Sequence, residues 1–321
     1  MNRAAIRKEI ESTYKSNDTE EWVDVKFTRP VGFWWAQLFK KIGATPNVVT
    51  VISMFVGALA GVMFYFSDIG HNVAGVLLLM WANLLDSADG QLARMTGKIT
   101  AWGRILDGFA GDIWFFSIYM ALAFRMSGQA MPWSEQTWGL WAFGVFALSG
   151  FVCHSKQSQL ADYYRTIHLW CLPGSKTEIQ ESTKLKEEYV KISWRRNFLW
   201  KFSSWGYVDY TRAQESITPE CQKLLGYLRK ETAIFTEPDG KETKEFKARL
   251  RAESKPLLRY GNILTFNTRA LVLYVACLAD VPWVYAAFEI VVLSLVFVYL
   301  RHRHERICKG FYEEFTGRRV L

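Results

Sequence analysis

Hydrophobic positions gather into long runs along this chain, and charged residues separate the runs. The first run, VVTVISMFVGALAGVMFYF (48–66), carries no charge and is long enough to cross a hydrocarbon core of about 30 Å. The next, VAGVLLLMWANLL (73–85), is too short to cross alone. It crosses only if its helix continues through Asp86 to about Arg94. Runs of this kind predict an all-α polytopic membrane protein rather than several soluble domains.

Four further segments bring the predicted number of transmembrane helices to about six. These segments are 105–124, 137–153, 261–279 and 282–300. Pro282 separates the last two, because proline interrupts a helix and disfavours helical geometry at the residue before it. A single long helix over 270–300 is the alternative.

The apolar runs divide the chain into five predicted segments. They are a cytoplasmic and interfacial segment (1–47), transmembrane helices one to four (48–153), a cytoplasmic insertion (154–260), helices five and six (261–301) and a cytoplasmic tail (302–321). The insertion is too aromatic for a disordered linker. We therefore expect it to fold into helices, with a looser portion around 236–243.

An amphipathic stretch precedes the first apolar run. Residues 33–39 present aromatic and apolar side chains next to Lys40 and Lys41. Such a helix is typical of the membrane interface, with its apolar face in lipid and its lysines toward headgroups. Packing of the same face on the protein itself is the alternative, since Trp also fills ordinary cores.

Positive charge is strongly one-sided in this arrangement. The net charge is +8, and all but two of the 39 Lys and Arg residues fall on one side of the predicted membrane. Arg125 and Arg269 are the exceptions. Cytoplasmic loops carry the Lys and Arg excess, so both termini and the insertion are predicted to be cytoplasmic. This placement favours anionic membrane lipids as partners over nucleic acid, and the polar start does not resemble a cleaved signal peptide.

The cysteine and histidine patterns suggest no further chemistry. The five cysteines show no paired spacing, so neither a disulfide framework nor a zinc site is predicted. In RHRHER (301–306), His302 and His304 lie two residues apart and on different helical faces, so this segment is interpreted as a basic stop after the last span.

Acidic residues interrupt the second apolar helix. Asp86, Asp89 and Ala93 share one helical face, with Gly90 beside them. Ionisable groups are costly within a membrane and indicate function by default. The small residues allow close approach to the backbone, and Arg94 supplies a cation suited to a phosphate oxygen.

A second acidic group follows on the next predicted helix. In AWGRILDGFAGDIW (101–114), Gly103 and Asp107 lie four residues apart, with Asp112 close behind. Carboxylates that converge from adjacent helices form an oxygen-rich site for a hard divalent cation such as Mg²⁺.

Together these residues form the pattern Asp-x2-Asp-Gly-x2-Ala-Arg-x8-Gly-x3-Asp over 86–107. This pattern resembles the signature of the CDP-alcohol phosphotransferase family, also called CDP-alcohol phosphatidyltransferases. The stretch TPNVVT (45–50) is similar to the segment that often opens the family's first transmembrane helix. The resemblance implies transfer from a CDP-linked donor to an alcohol, with release of CMP. It also implies two divalent ions, Mg²⁺ or Mn²⁺, near the cytoplasmic surface, and a homodimer.

The resemblance further implies roles for individual residues. The metal ligands would be Asp86, Asp89 and Asp107. The residues bordering the CDP moiety would be Asp86, Gly90, Ala93, Arg94 and Gly103.

The chain departs from the family pattern at one position. The family has a fourth Asp four residues after the third, often assigned as the general base, and Gly111 stands there. In a regular helix Asp112 lies about 140° round from Asp107. A one-residue π-bulge near 108–111 would return Asp112 to the site as a metal ligand and catalytic base alongside Asp107. The alternative is that Asp112 pairs elsewhere.

Three residues are candidates for acceptor binding. Gln157 and Arg165 belong to HSKQSQLADYYRTIH (154–168), for which a solvated helix end is an equal alternative. Arg269, in the fifth predicted helix, would hold an anionic acceptor group or snorkel to the interface.

The favoured reaction moves a phosphatidyl group from CDP-diacylglycerol to inositol, inositol phosphate, glycerol phosphate or serine. The alternative moves a phospho-headgroup from a CDP-linked polar alcohol to diacylglycerol or ceramide. From other functional classes, a membrane transporter and a non-catalytic scaffold with a degenerate site stay open.

Overall fold

The computed structural model describes residues 10, 16, 18–132, 134–175, 177–194 and 197–317. Within these residues the chain is helical, and Ala130 and Thr137 form an isolated bridge but no strand. This confirms the all-α prediction. Most of the first 17 residues of the predicted interfacial segment, and 318–321 of the predicted tail, lie outside the described residues.

The α-helices of the described part are numbered here in chain order. They are α1 (Arg29–Lys41), α2 (Pro46–Phe64), α3 (Ile69–Thr96), α4 (Ala101–Ser127), α5 (Trp141–Ala147), α6 (Ser155–Trp170), α7 (Ser182–Lys191), α8 (Phe198–Ile217), α9 (Pro219–Glu231), α10 (Lys241–Ser254), α11 (Leu258–Ile263), α12 (Phe266–Leu278), α13 (Pro282–Ala287) and α14 (Ser294–Phe315). Short π-helical segments occur at Asp24–Thr28, Leu148–His154 and Phe288–Leu293, and a 3₁₀ turn at Lys255–Leu257.

Five described helical stretches are long and apolar enough to cross a membrane. They are Pro46–Phe64, Ile69–Thr96, Ile105–Ser127, Lys241–Leu278 and Pro282–Phe315. The chain is therefore a multi-pass membrane protein. The predicted helix over 137–153 is not among the five, because its helical part begins at Trp141 and the polar residues from His154 onward follow closely. The count of six is thus not confirmed.

The predicted break between the last two spans is confirmed. Asp280 adopts a left-handed backbone conformation with φ of 54°, and α13 begins at Pro282. The Asp280 carboxylate accepts hydrogen bonds from the guanidinium of Arg125, at 2.7 Å and 3.0 Å, and from the Gln129 amide. A single helix over 270–300 is therefore excluded.

Helix α1 packs on the protein along one face. Phe33, Ala36 and Phe39 are buried, whereas Trp34 and Leu38 remain exposed. The helix contacts α3 closely, since a Cβ atom on Gly32 would lie 2.9 Å from the Ser87 hydroxyl oxygen. The protein-packing alternative therefore applies to one face, and placement of the other face in the interface stays a prediction.

Glycines let α2 approach α4 closely. A Cβ atom on Gly57 would lie 2.1 Å from the Trp114 ring, and one on Gly61 would lie 2.3 Å from the Ser117 hydroxyl oxygen. The Trp114 indole N–H donates to the Ser53 carbonyl at 2.8 Å. Small residues commonly allow such contact between membrane helices, and here they hold α2 and α4 together beneath the acidic residues.

The described chain forms two compact units. The first comprises Met1–Cys153 and Arg269–Ile290, and the second comprises His154–Thr268 and Val291–Leu321. The second unit has its own core, in which Leu225 and Phe246 are buried and Trp170 stacks on Phe235 at 5.0 Å. The predicted insertion is thus largely helical. The non-helical connection between α9 and α10 covers 232–240, so of the predicted looser portion around 236–243 residues 241–243 belong to α10 instead.

Candidate active site

The turn between α3 and α4 orders the acidic segment. Gly97 ends α3 in the left-handed conformation, with φ of 67°, which glycine adopts without a steric penalty. Thr100 begins α4 as its N-cap, and its hydroxyl oxygen accepts a hydrogen bond from the Gly103 N–H at 2.9 Å. A short connection therefore joins the two helices, and each of them packs on α2.

Three of the predicted acids meet across this pair of helices. Asp86 and Asp89 on α3 and Asp107 on α4 each place a carboxylate oxygen within 4.8 Å of the other two. Asp89 is buried, Asp86 is half-buried and Asp107 is exposed. The cluster therefore has a fixed inner ligand and an accessible edge.

Behind the acids, apolar contacts hold α3 in place. Leu85, Ala88 and Leu92 are buried against Ala36 of α1 and Val49 of α2. These side chains lie about 100° round α3 from Asp86 and Asp89, so their burial restricts rotation of the helix about its axis. Packing thus fixes the orientation of Asp86 and Asp89.

Thr50 of α2 anchors the inner acid. Its hydroxyl donates to the Asp89 carboxylate at 2.5 Å. A hydrogen bond from a neighbouring group orients a metal-ligating carboxylate. Asn47, one turn earlier, lies against Gly103, since a Cβ atom there would be 3.2 Å from the Asn47 side-chain oxygen.

Sequence reasoning assigned no role to Thr50 or Asn47. The available signal was the TPNVVT stretch (45–50), which contains both residues three positions apart on one helical face. Helix α2 begins at Pro46, so both residues lie near its start.

Arg94 brings an unsatisfied cation to the site. Its guanidinium lies over Gly90, where a Cβ atom would come within 3.4 Å of it. Two of its nitrogens, Nε and Nη2, are buried and have no hydrogen-bond partner among the described residues. The same group interacts electrostatically with Asp89 and Asp107. Buried donors without acceptors indicate an anionic ligand.

The predicted π-bulge is wrong. Helix α4 is an uninterrupted α-helix over Ala101–Ser127. Asp112 is therefore about 140° round from Asp107, its side chain is exposed, and it is not a member of the acid cluster. Gly111 itself faces open space, since a Cβ atom there meets nothing within 4 Å. Sterics do not explain the absence of an acid at that position.

Arg269 lies in a buried polar network of the first unit. It is 1% exposed and donates to the Glu289 carboxylate at 2.5 Å. Tyr119, Tyr285 and Ser149 also donate to Glu289. One guanidinium and three hydroxyl groups thus surround the Glu289 carboxylate. Acceptor binding by Arg269 stays a prediction.

The other two acceptor candidates lie in the second unit. The Gln157 amide donates to the Ser294 hydroxyl at 3.1 Å, and Arg165 donates to the Asn262 side-chain oxygen at 3.0 Å. Both are thus engaged within helices of that unit. Their part in acceptor binding also stays a prediction.

The donor set of the cluster fits a hard divalent cation. All three ligating groups are carboxylates, which suit Mg²⁺ or Mn²⁺ better than a softer metal. A cation there also offsets the cost of burying Asp89. The unpartnered guanidinium of Arg94 complements such a centre, because a phosphate bound to the cation would accept its hydrogen bonds.

Fold and site together define a multi-pass helical membrane protein with a cluster of three carboxylates and a buried arginine beside it. The family model for CDP-alcohol phosphatidyltransferase matches residues 44–170. That span includes the acid cluster, Thr50 and Arg94. Residues 44–170 therefore form a domain of the CDP-alcohol phosphatidyltransferase family.

Three relatives are similar to part of this chain. An archaetidylinositol phosphate synthase of Pyrococcus horikoshii is 37% identical over 82 residues, which are 26% of this chain and 42% of the relative. A bifunctional IPC transferase and DIPP synthase of Aquifex aeolicus is 33% identical over 91 residues, 28% of this chain and 20% of the relative. A phosphatidylinositol phosphate synthase of Mycobacterium tuberculosis is 30% identical over 90 residues, 25% of this chain and 41% of the relative.

The chain thus spans less than half the length of the curated relatives it matches. No solved structure matches the chain significantly.

Proposed function

We propose that the chain transfers a phosphatidyl group from CDP-diacylglycerol to an inositol phosphate acceptor and releases CMP. The observation that carries the proposal is the pair of buried Arg94 nitrogens, Nε and Nη2, that have no hydrogen-bond partner among the described residues, beside the Asp86, Asp89 and Asp107 cluster. A pyrophosphate-containing donor satisfies both features, since its oxygens accept from Arg94 and bind cations held by the acids.

In the proposed step, the acceptor hydroxyl oxygen attacks the phosphorus that carries the diacylglycerol. The bond from this phosphorus to the bridging oxygen of CMP breaks, and that oxygen leaves with CMP. Two divalent ions held by the acids would neutralise charge on the transferring and leaving phosphates.

Asp107 is the proposed acceptor of the hydroxyl proton. It is the exposed member of the cluster, whereas Asp89 is buried and hydrogen-bonded to Thr50. Asp112, on an unbroken helix, points elsewhere. A general base must reach the proton that it removes, and an acid at the accessible edge meets this requirement.

The inositol phosphate acceptor is favoured by the names of two relatives. Both the archaetidylinositol phosphate synthase and the phosphatidylinositol phosphate synthase are similar to about a quarter of this chain. Each name describes a lipid-linked inositol phosphate as product. A phosphorylated acceptor is anionic, which agrees with the basic face of the predicted cytoplasmic side.

Placement of both termini and the site in the cytoplasm belongs to the same proposal. The one-sided distribution of Lys and Arg supports it. A homodimer, which the family resemblance implies, stays a prediction.

The test is metal-dependent CMP release by the purified protein in lipid nanodiscs. CDP-diacylglycerol is compared with CDP-inositol and CDP-choline, each with inositol phosphate, inositol, glycerol phosphate, serine or diacylglycerol. Release from CDP-diacylglycerol with inositol phosphate, lost in Asp89→Asn, is the expected result.

The other outcomes separate the alternatives. Release from a headgroup donor with diacylglycerol reverses the direction of transfer. Turnover that is unchanged in Asp89→Asn contradicts the site assignment. If the folded wild-type protein releases no CMP from any donor, the result supports a non-catalytic scaffold or a transporter.

A further inference from the structure

A second group of metal-ligating side chains lies in the second unit, remote in sequence from the acidic pattern. Cys221 on α9 and His304 and Cys308 on α14 place their ligating atoms within 4.8 Å of one another. All three side chains are buried, each about 1% exposed. Two thiols and an imidazole are the ligands that Zn²⁺ and other thiophilic ions prefer.

The distance between two of these atoms fits tetrahedral coordination. Metal–sulfur and metal–nitrogen bonds of zinc sites separate neighbouring ligand atoms by about 3.5–3.8 Å. The His304 Nδ1 atom lies 3.5 Å from the Cys308 sulfur. His304 and Cys308 are four residues apart on α14, so both project from one face of that helix.

An independent contact fixes Cys221 beside them. The Glu305 carboxylate accepts hydrogen bonds from the backbone N–H groups of Glu220, at 2.6 Å, and Cys221, at 3.3 Å. Both N–H groups belong to the first turn of α9, where backbone N–H groups have no carbonyl partner within the helix. Glu305 therefore joins the start of α9 to α14 at the level of His304.

The imidazole of His304 is held by a neighbouring ring, but one of its two nitrogens has no hydrogen-bond partner among the described residues. The Tyr164 ring stacks on it at 3.6 Å, with an interplanar angle of 11°. Neither His304 Nε2 nor the Tyr164 hydroxyl has a hydrogen-bond partner among the described residues, although both are buried. A cavity of about 10 Å³ adjoins both side chains and has room for about one water, a usual partner of the outer nitrogen of a ligating histidine.

We propose that Cys221, His304 and Cys308 bind one thiophilic divalent ion of the zinc class, which clamps α9 to α14. The cluster lies in the polar part of α14 that begins at Arg301, beyond the apolar part of that span. Three protein ligands leave a fourth position for water or another small ligand. This site differs in ligand chemistry from the all-carboxylate cluster, so each is expected to select a different ion.

The test uses the purified, reduced protein in nanodiscs with saturating Mg²⁺, titrated with Co²⁺ alone. Thiolate ligands give cobalt a charge-transfer absorption that carboxylates do not give. The expected result is one Co²⁺ per chain with this absorption, displaced by Zn²⁺. Cys221→Ser and Cys308→Ser should abolish it, and His304→Gln should weaken binding at least tenfold. Cys277→Ser, which changes an equally buried thiol of the first unit, should retain it.

A second measurement does not depend on the folding of any variant. The wild-type protein is alkylated with and without Zn²⁺, and the modified cysteines are identified by mass spectrometry. Zn²⁺ should protect Cys221 and Cys308 at least tenfold and leave Cys153 unchanged.

Three results would overturn the proposal. The first is the absence of both the absorption and the protection in reduced wild-type protein. The second is persistence of the absorption in well-folded Cys221→Ser and Cys308→Ser. The third is a Cys221–Cys308 disulfide in a protein that binds no cobalt when reduced, which would make the pair a redox couple.

Discussion

The hydroxyl of Thr50 donates to the carboxylate of Asp89 across the interface of α2 and α3, at 2.5 Å. This hydrogen bond ties the segment that opens the first span to the innermost acid of the candidate metal centre. A fixed partner of this kind holds a ligating carboxylate in one orientation and is commonly worth 10–100-fold in metal affinity or activity.

Thr50→Val should therefore lower CMP release by about 10–100-fold and raise the Mg²⁺ concentration needed for half-maximal activity. Thr50→Ser keeps the hydroxyl and should stay near wild type. The measurement is a Mg²⁺ titration of CMP release for the three proteins at equal folded concentration. A Val variant with an unchanged Mg²⁺ requirement would show that the hydrogen bond does not position a metal ligand.

The unbroken helix α4 leads to a prediction about its two acids. Asp107→Asn should reduce the rate at least about 100-fold, in the range of a lost general base or ligand. Asp112→Asn should change it less than about twofold, because the side chain is outside the cluster. The turnover numbers of the two variants are compared. A large loss of turnover in Asp112→Asn would show that Asp112 takes part in the reaction.

Arg94→Lys should raise KM for the CDP-linked donor by about 10–100-fold, the value of one or two hydrogen bonds to a charged group. Lysine keeps the charge but loses the planar pair of donors. Lys98→Ala removes an exposed cation just beyond α3 and serves as the control, with KM near wild type. An equal rise of KM in both variants would indicate a general effect of basic charge instead.

Substitution of Arg269 tests its ion pair with Glu289 through the stability of the protein. Arg269→Gln leaves a buried carboxylate without its cation, which typically costs about 3–5 kcal/mol of stability. The unfolding temperature in detergent should fall. A KM for the acceptor that stays unchanged in protein that remains folded would contradict acceptor binding by Arg269. A raised acceptor KM at an unchanged unfolding temperature would instead support direct binding of the acceptor by Arg269.

Gly61→Ala should destabilise the pair formed by α2 and α4 by about 1–3 kcal/mol, since the added methyl group overpacks a tight contact. Its Cβ would lie 2.8 Å from the backbone of Ser117, which cannot move aside as a side chain can. Gly144→Ala, in α5, meets nothing within 4 Å and should be neutral or slightly stabilising. Thermal unfolding of both variants in the same detergent provides the comparison.

Much of the acidic site was predictable because it depends on local spacing. Asp86 and Asp89 are three residues apart, so any helix places them on one face, and a short turn then brings Asp107 back to them. The apolar runs likewise predicted most of the spans through their length alone.

Other features depend on contacts that spacing does not encode. Glu289 finds Arg269 on a different helix, and Cys221 meets His304 and Cys308 only through tertiary packing. No zinc site was predicted because the usual signal is a short interval between ligands. The expected bulge in α4 failed for a related reason, since it was inferred from the position of Asp112 and not from a residue that disturbs the helix.

The close approach of α2 and α4 at Gly57 and Gly61 also restricts how the protein can move. Side chains from α4 fill the grooves over both glycines, so neither helix can slide by a turn or rotate without collision. Thr50 lies near the start of α2, and Asp107 lies near the start of α4. The two residues consequently belong to one pair of helices that moves as a unit. A movement of this pair of helices therefore carries Asp107 together with Thr50, whose hydroxyl holds Asp89.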